Sequence, residues 1–265
     1  MRQIHNPNKL PVVFLFIIIA IIMSGCTMDN LLILPPANLA TTSIVFEAKG
    51  KFTSAQLQET ANTLQRRLNA LGLDGNIQVQ SNNQILVEVR GADDPQYVIE
   101  TLQARGFMEF VDFSGLAGQV PSLIDQTILT DKQIELGLLD PATSTALRNP
   151  ITGQAFHTGM TGACISTASA QYGSFSSSSN AFWMIAFEIS PDCVGTFADF
   201  TQSLLGQPLA IVFDGRVLTA PTVQAQLSTG GIITGDRSEK ETKALAIQLN
   251  SGILPVELSL VSANN

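Results

Sequence analysis

Charge is scarce in this chain, and histidine scarcer still. Only 14% of its 265 residues are Asp, Glu, Lys or Arg, and it has two histidines, three cysteines and one tryptophan. So few soft ligands cannot assemble a zinc-type cluster, which needs about four Cys or His donors. No G-x-S-x-G elbow, phosphate loop or dinucleotide fingerprint occurs, which leaves the common hydrolase, nucleotidase and dehydrogenase signatures unfilled. Basic residues are short too, 14 against 22 acidic, a net charge of −8. A surface of that sign repels phosphate backbones and excludes a nucleic-acid partner. Long apolar runs are also missing. The longest, "LPVVFLFIIIAIIM" over Leu10–Met23, falls short of the ~20 residues a bilayer-spanning helix needs.

What that run does resemble is an export signal. Arg2, His5 and Lys9 precede it, and Ser24, Gly25 and Cys26 follow, the order of a basic region, an apolar region and small residues at a cleavage site. "MSGC" is similar to a bacterial lipobox, which implies removal of residues 1–25 and a lipid on the Cys26 thiol, with Met23 standing where Leu is commonest. The competing reading is an uncleaved anchor helix with Cys26 incidental. Either way the rest of the chain is expected outside the cytoplasm, lipid-anchored to a bacterial cell membrane in the first reading. Without Arg2 and Lys9, 12 basic residues face 22 acidic ones, a net −10. Residues 26–42, with Pro35-Pro36 and no periodicity, are expected to be a tether.

The exported compartment is oxidising, and Cys164 and Cys193 are the pair that remains, so a disulfide is expected. The alternative is a reactive Cys193 thiol in the first turn of a helix. His157 sits in a Gly/Thr-rich loop seven residues before Cys164. A Cys/His pair is conceivable there, but an exposed loop histidine is the simpler reading. Glu188, Asp192 and Asp199 surround a helix start, as Asp93 and Asp94 do, and read as capping and solvation. Arg66-Arg67 read as a solvated helix face. No catalytic residue, metal ligand or cofactor is assigned.

From Ser43 the pattern is regular. "SIVFEAK" alternates as a strand, Thr53 and Gln56 form a capping box, and Leu57, Ala61, Leu64, Leu68 and Leu71 follow at helical spacing. "NIQVQ" and "QILVEVR" make a hairpin, Asp94-Pro95 opens a second helix, and "FMEFVDF" reads as the closing strand. That order, β-α-β-β-α-β, predicts a ferredoxin-like unit over 43–113. Residues 114–180 are rich in Gly, Ser, Thr and Ala and read as a linker and polar insertion, with a short helix near Thr130–Leu138. From 181 the succession repeats: strand "AFWMIAFEI", a helix capped by Ser190-Pro191, a hairpin turning at Asp214-Gly215, strand "GIIT", a helix opened by Ser238 and Glu241, and strand "PVELSLV". The fold class is therefore α+β, two ferredoxin-like units of antiparallel sheet with helices on one face, the second over 181–261.

"LAIVFDGRVLTAP" (209–221), "GIITG", "LAIQLNSGILPVELSLV" and the earlier "LQRRLNALGLDGNIQVQSNNQILVEVRGADDP" together resemble the first periplasmic domain of the SecD family, an accessory part of the Sec preprotein translocase. Asp214, Gly215, Arg216, Ala220 and Pro221 carry the hairpin motif. The resemblance implies a base over about Ser43–Phe113 and a head over about Thr130–Leu260 that swings relative to it. It also implies unfolded or emerging secretory polypeptides and the translocase's membrane subunits as partners, beside a membrane reached through the lipid. The family's proton-carrying groups lie in a membrane bundle after this domain, whereas the sequence here runs to Asn265, so no proton-driven cycle is expected of it alone. The expectation is a non-enzymatic, membrane-tethered, polypeptide-binding module. Two alternatives stand beside it: a scaffolding lipoprotein that keeps the fold without transport, and a hydrolase using the polar insertion as an active-site loop.

Overall fold

The computed structural model describes residues 40–174 and 180–264. Cys26, the export signal and nearly all of the tether lie outside the described residues. Among the described residues no helix is long and apolar enough to cross a membrane.

The chain begins with β1 (Thr41–Lys49), α1 (Ser54–Ala70), β2 (Asp74–Val79), β3 (Gln84–Arg90), α2 (Pro95–Gln103) and β4 (Met108–Asp112). The Thr53/Gln56 capping box and the Asp94 cap with Pro95 behind it both form. Short helices α3 (Val120–Leu123) and α4 (Asp131–Glu135) follow, the second opened by a capping box of Thr130 and Gln133. The stretch read as polar insertion contains β5 (Thr158–Thr161), a 3-10 turn and β6 (Ile165–Gly173). Then come β7 (Phe182–Ile189), α5 (Val194–Ser203), β8 (Leu209–Phe213), β9 (Arg216–Thr219), β10 (Gly230–Ile233), α6 (Glu239–Ser251) and β11 (Glu257–Asn264). Ser190 makes no side-chain cap bond, and a 3-10 turn over Pro191–Cys193 separates it from α5.

The α+β class and the antiparallel sheets are as expected, but the strands are shared out differently. The first sheet runs β11-β1-β3-β2, so its fourth strand is the last of the chain and not "FMEFVDF". The second-half strands divide between a three-stranded sheet, β10-β7-β6, and a four-stranded one, β5-β4-β8-β9. Burial explains the exchange. β4 is buried on both faces: Met108 and Phe110 enter one core, Val111 and its neighbour Phe113 another. Such a strand belongs inside a sheet covered on both sides. β11 buries Leu258 and leaves most of its length accessible, which suits the edge of a sheet covered on one side.

Accordingly α1 and α2 cover one face of the first sheet over a core of Ile44, Phe46, Leu64, Leu68, Ile85 and Leu102. Beyond it, β4 and β8 separate two further cores. One, around Phe110, Phe187 and Phe197, lies toward the three-stranded sheet. The other, around Phe113, Ile128 and Phe156, lies toward the segment after β4.

Candidate functional site

Everything between α2 and β11 leaves the first sheet and returns to it through two crossings, about Ala104–Phe107 going out and Gly252–Val256 coming back. They touch, because Leu254 N donates to Arg105 O at 2.7 Å.

A fully buried arginine holds both. Arg67, on the inner face of α1, donates from its guanidinium to the carbonyls of Leu102 (2.8 Å), Thr101 (3.3 Å) and Ala104 at the end of α2. It also reaches Arg105 O (3.3 Å) on the outgoing crossing and Gly252 O (3.1 Å) on the returning one. The carbonyls at the end of α2 carry the partial negative charge of its C-terminus, so a cation there is favoured. Burial lowers the Arg67 pKa to about 10, the Asp214 carboxylate opposing it, so the side chain stays charged at neutral pH. Its Nε has no hydrogen-bond partner. The reading of Arg66-Arg67 as a solvated face is therefore half corrected. Arg66 is half exposed and pairs with Glu59 at 3.0 Å while reaching Ser251 O, whereas Arg67 is part of the interior. Adjacent helix positions are about 100° apart, so one arginine faces water and the next faces in.

Asp214 closes the clamp from the other side. With Gly215 it forms the β8–β9 turn, both residues at positive φ (48° and 83°) as a two-residue hairpin turn requires. Its Oδ1 accepts from Phe107 N at 2.7 Å and its Oδ2 from Gly106 N at 3.2 Å, while its own N–H donates to Phe107 O at 2.8 Å. Protein atoms crowding the carboxyl raise its pKa, although the residue as a whole stays exposed; those two N–H groups and Arg67 pull the other way. Gly106 fits because nothing larger would: its φ is +82°, and a Cβ there would lie 2.6 Å from Arg67 Nη2. Gln248 of α6 adds bonds to Glu100 O and Thr101 O.

The motif residues thus part company. Asp214 and Gly215 stand at the seam. Arg216 points away and pairs with the exposed Asp125 at 3.0 Å. Ala220 packs against the Phe113 core, and Pro221 O accepts from Leu209 N. None of Arg67, Gly106, Gln248 and Gly252 is given a place at this seam by the sequence alone, although Arg67 falls on the stripe of Leu64 and Leu68, where a charged residue must find buried partners.

Cys164 and Cys193 are bonded, their Cα atoms 5.6 Å apart, tying the start of β6 to the start of α5. His157 does not meet Cys164. It is exposed, with Nδ1 2.7 Å from Asp131 Oδ2. Beneath it Glu109 of β4 is fully buried and accepts from Thr130 Oγ1 (2.6 Å), Thr158 Oγ1 (2.7 Å) and Gln133 Nε2 (2.7 Å). Burial raises its pKa against those three donors. Burial would raise Asp131 as well, but Thr158 N–H and His157 outweigh it and hold that carboxyl low. Glu188, Asp192 and Asp199 stay dispersed about the start of α5, and no group of three or more His, Cys, Asp or Glu residues among the described residues could hold a metal ion.

Comparison with known proteins decides what this architecture is. The family model of the SecDF P1 head subdomain matches residues 144–256, and that of the N-terminal part of the P1 domain of protein translocase subunit SecDF matches 57–115. The chain belongs to the SecD family. The head match stops one residue short of β11, where the chain re-enters the first sheet. The SecD protein of Thermobaculum terrenum is 28% identical over 80% of this chain and 48% of its own length, and that of Leptotrichia buccalis 28% over 83% and 45%. SecDF of Thermus thermophilus is 30% identical over 78% of this chain and 28% of its own. The chain therefore spans less than half the length of these SecD relatives. A crystal structure of SecDF in a super-membrane-facing form superposes with a TM-score of 0.65 at 27% identity, covering 85% of this chain and 30% of that one. A structure of SecDF described as a membrane component that enhances protein export gives 0.61 at 27% identity, covering 83% of this chain and 98% of that one.

Proposed function

We propose that this chain is a non-enzymatic, membrane-tethered SecD-type module that binds polypeptides as they are exported and assists Sec-dependent translocation. The observation that carries this is the match to both parts of the P1 domain, together with motifs of both halves meeting at one seam. In this reading residues 1–25 are a signal, 26–42 a tether, and Cys26 carries the lipid that keeps the folded part at the outer face of the membrane. The disulfide stiffens the region added before β7, and no cofactor takes part. Its partners are unfolded or emerging secretory chains and the translocase's membrane subunits.

The test is photocrosslinking in cells from Tyr172 and Ile232, which are 63% and 44% exposed on the three-stranded sheet, while a secretory protein is stalled in export. Adducts to the stalled chain or to translocase subunits are expected. If none form while the protein is folded and membrane-bound, the export role is wrong and the scaffolding alternative takes its place. Cys26→Ser should abolish incorporation of labelled fatty acid, and persistent labelling would remove the lipid anchor from this account.

A further inference from the structure

Beside the clamp a groove of about 470 Å³ opens along the seam. Phe107, Leu138, Leu139 and Leu258 form its apolar walls. Its charges do not balance: Glu100, Asp214 and Glu257 face it against the single cation Arg105. Arg105 lies 3.9 Å from Glu257, a long ion pair. Glu100 is met by the neutral amide of Gln96 at 2.8 Å and makes no ion pair among the described residues. Asp214 accepts from two backbone N–H groups and stands against the buried Arg67, which offsets its charge, so Glu100 is the carboxylate of the groove without a cation. The two neighbouring grooves differ. In one, of about 420 Å³, which Glu100 also lines, Lys240 pairs with Asp94 at 2.5 Å and Arg237 stands against Glu241; the other, of about 440 Å³, has Lys243 as its only charge.

We propose that this groove binds an extended polypeptide segment in which a basic side chain stands next to an apolar one. The walls take the apolar side chain and the aliphatic stem of the lysine or arginine. Glu100, with Glu257 beside it, takes its cation. The proposal rests on the export reading above and names the sequence chemistry that the module selects.

The test uses the full chain in nonionic detergent and fluorescent ten-residue peptides alternating Leu with Lys, Gln or Glu, followed by anisotropy. The Leu/Lys peptide should bind about tenfold more tightly than Leu/Glu and lose affinity as salt rises. Glu100→Gln combined with Glu257→Gln should weaken Leu/Lys binding about fivefold and leave Leu/Gln binding unchanged. Leu139→Asn should weaken Leu/Lys and Leu/Gln binding alike, with thermal unfolding of each variant checked against the parent. Unchanged Leu/Lys binding in both variants overturns the groove assignment, while retained binding of an unfolded preprotein leaves the export reading standing. A parent protein that binds neither the peptides nor an unfolded preprotein overturns both.

Discussion

Arg67 and Glu109 are both removed from water, one on each side of the seam, yet their surroundings are of opposite kinds. Arg67 is surrounded by main-chain carbonyls from α2 and the two crossings, and Glu109 by two hydroxyls and an amide on side chains. Backbone partners cannot be mutated away, so a charge they surround fixes the path of the chain itself. Side-chain partners fix only how neighbouring segments lie together. The first arrangement joins parts of a domain, and the second pins α4 and β5 to a strand that is already in place.

The largest effect should come from emptying the clamp. Arg67→Met leaves several buried carbonyls without a donor and should cost about 4 kcal/mol in urea unfolding. A loss no larger than that of the Glu109 variant below would break the distinction. Next comes the bond between β6 and α5. Cys164→Ala with Cys193→Ala reopens a loop with a sequence separation of 29 and should lose about 3 kcal/mol, with reductant acting on the parent alone. Gly106→Ala meets both a positive φ and the Arg67 guanidinium and should cost about 2 kcal/mol, whereas the same change at Gly118, where a Cβ has open space, should cost far less.

The smallest effect, and the most diagnostic, is Glu109→Gln, at about 1 kcal/mol near neutral pH. Because the folded-state pKa of Glu109 is raised, its contribution to stability is fully present below the unfolded carboxyl value and is lost as pH rises through the folded one. The parent should therefore gain on the variant as pH falls from neutrality toward the ordinary carboxylate range. A difference independent of pH would mean that Glu109 is not the strained buried charge described here.

Much of the local structure was legible because local chemistry decides it. The capping boxes at Thr53 and Ser238, the Asp94-Pro95 helix start and the Asp214-Gly215 turn all depend on residues a few positions apart. Strand pairing does not. Alternation says which face a strand buries but not which neighbour it joins, so it predicts "FMEFVDF" as the closing strand of the first unit. Its two-sided apolar pattern was the available sign that it belonged inside another. Arg67 was lost for a related reason: its partners are carbonyls, which any sequence supplies. The groove at the seam is invisible for a different reason, since its lining comes from separate stretches of chain that only the fold brings together.

The placement of β11 also sets an order of events in time. Ile44 pairs with Ala263, far along the sequence, so β1 waits for that segment to be delivered before that flank of its sheet is filled. A chain that emerges amino end first spends that interval with β1 as an unprotected edge, open to any passing strand. The last eight-residue strand is what ends the wait, and a protein cut short before Glu257 would keep that edge open for good.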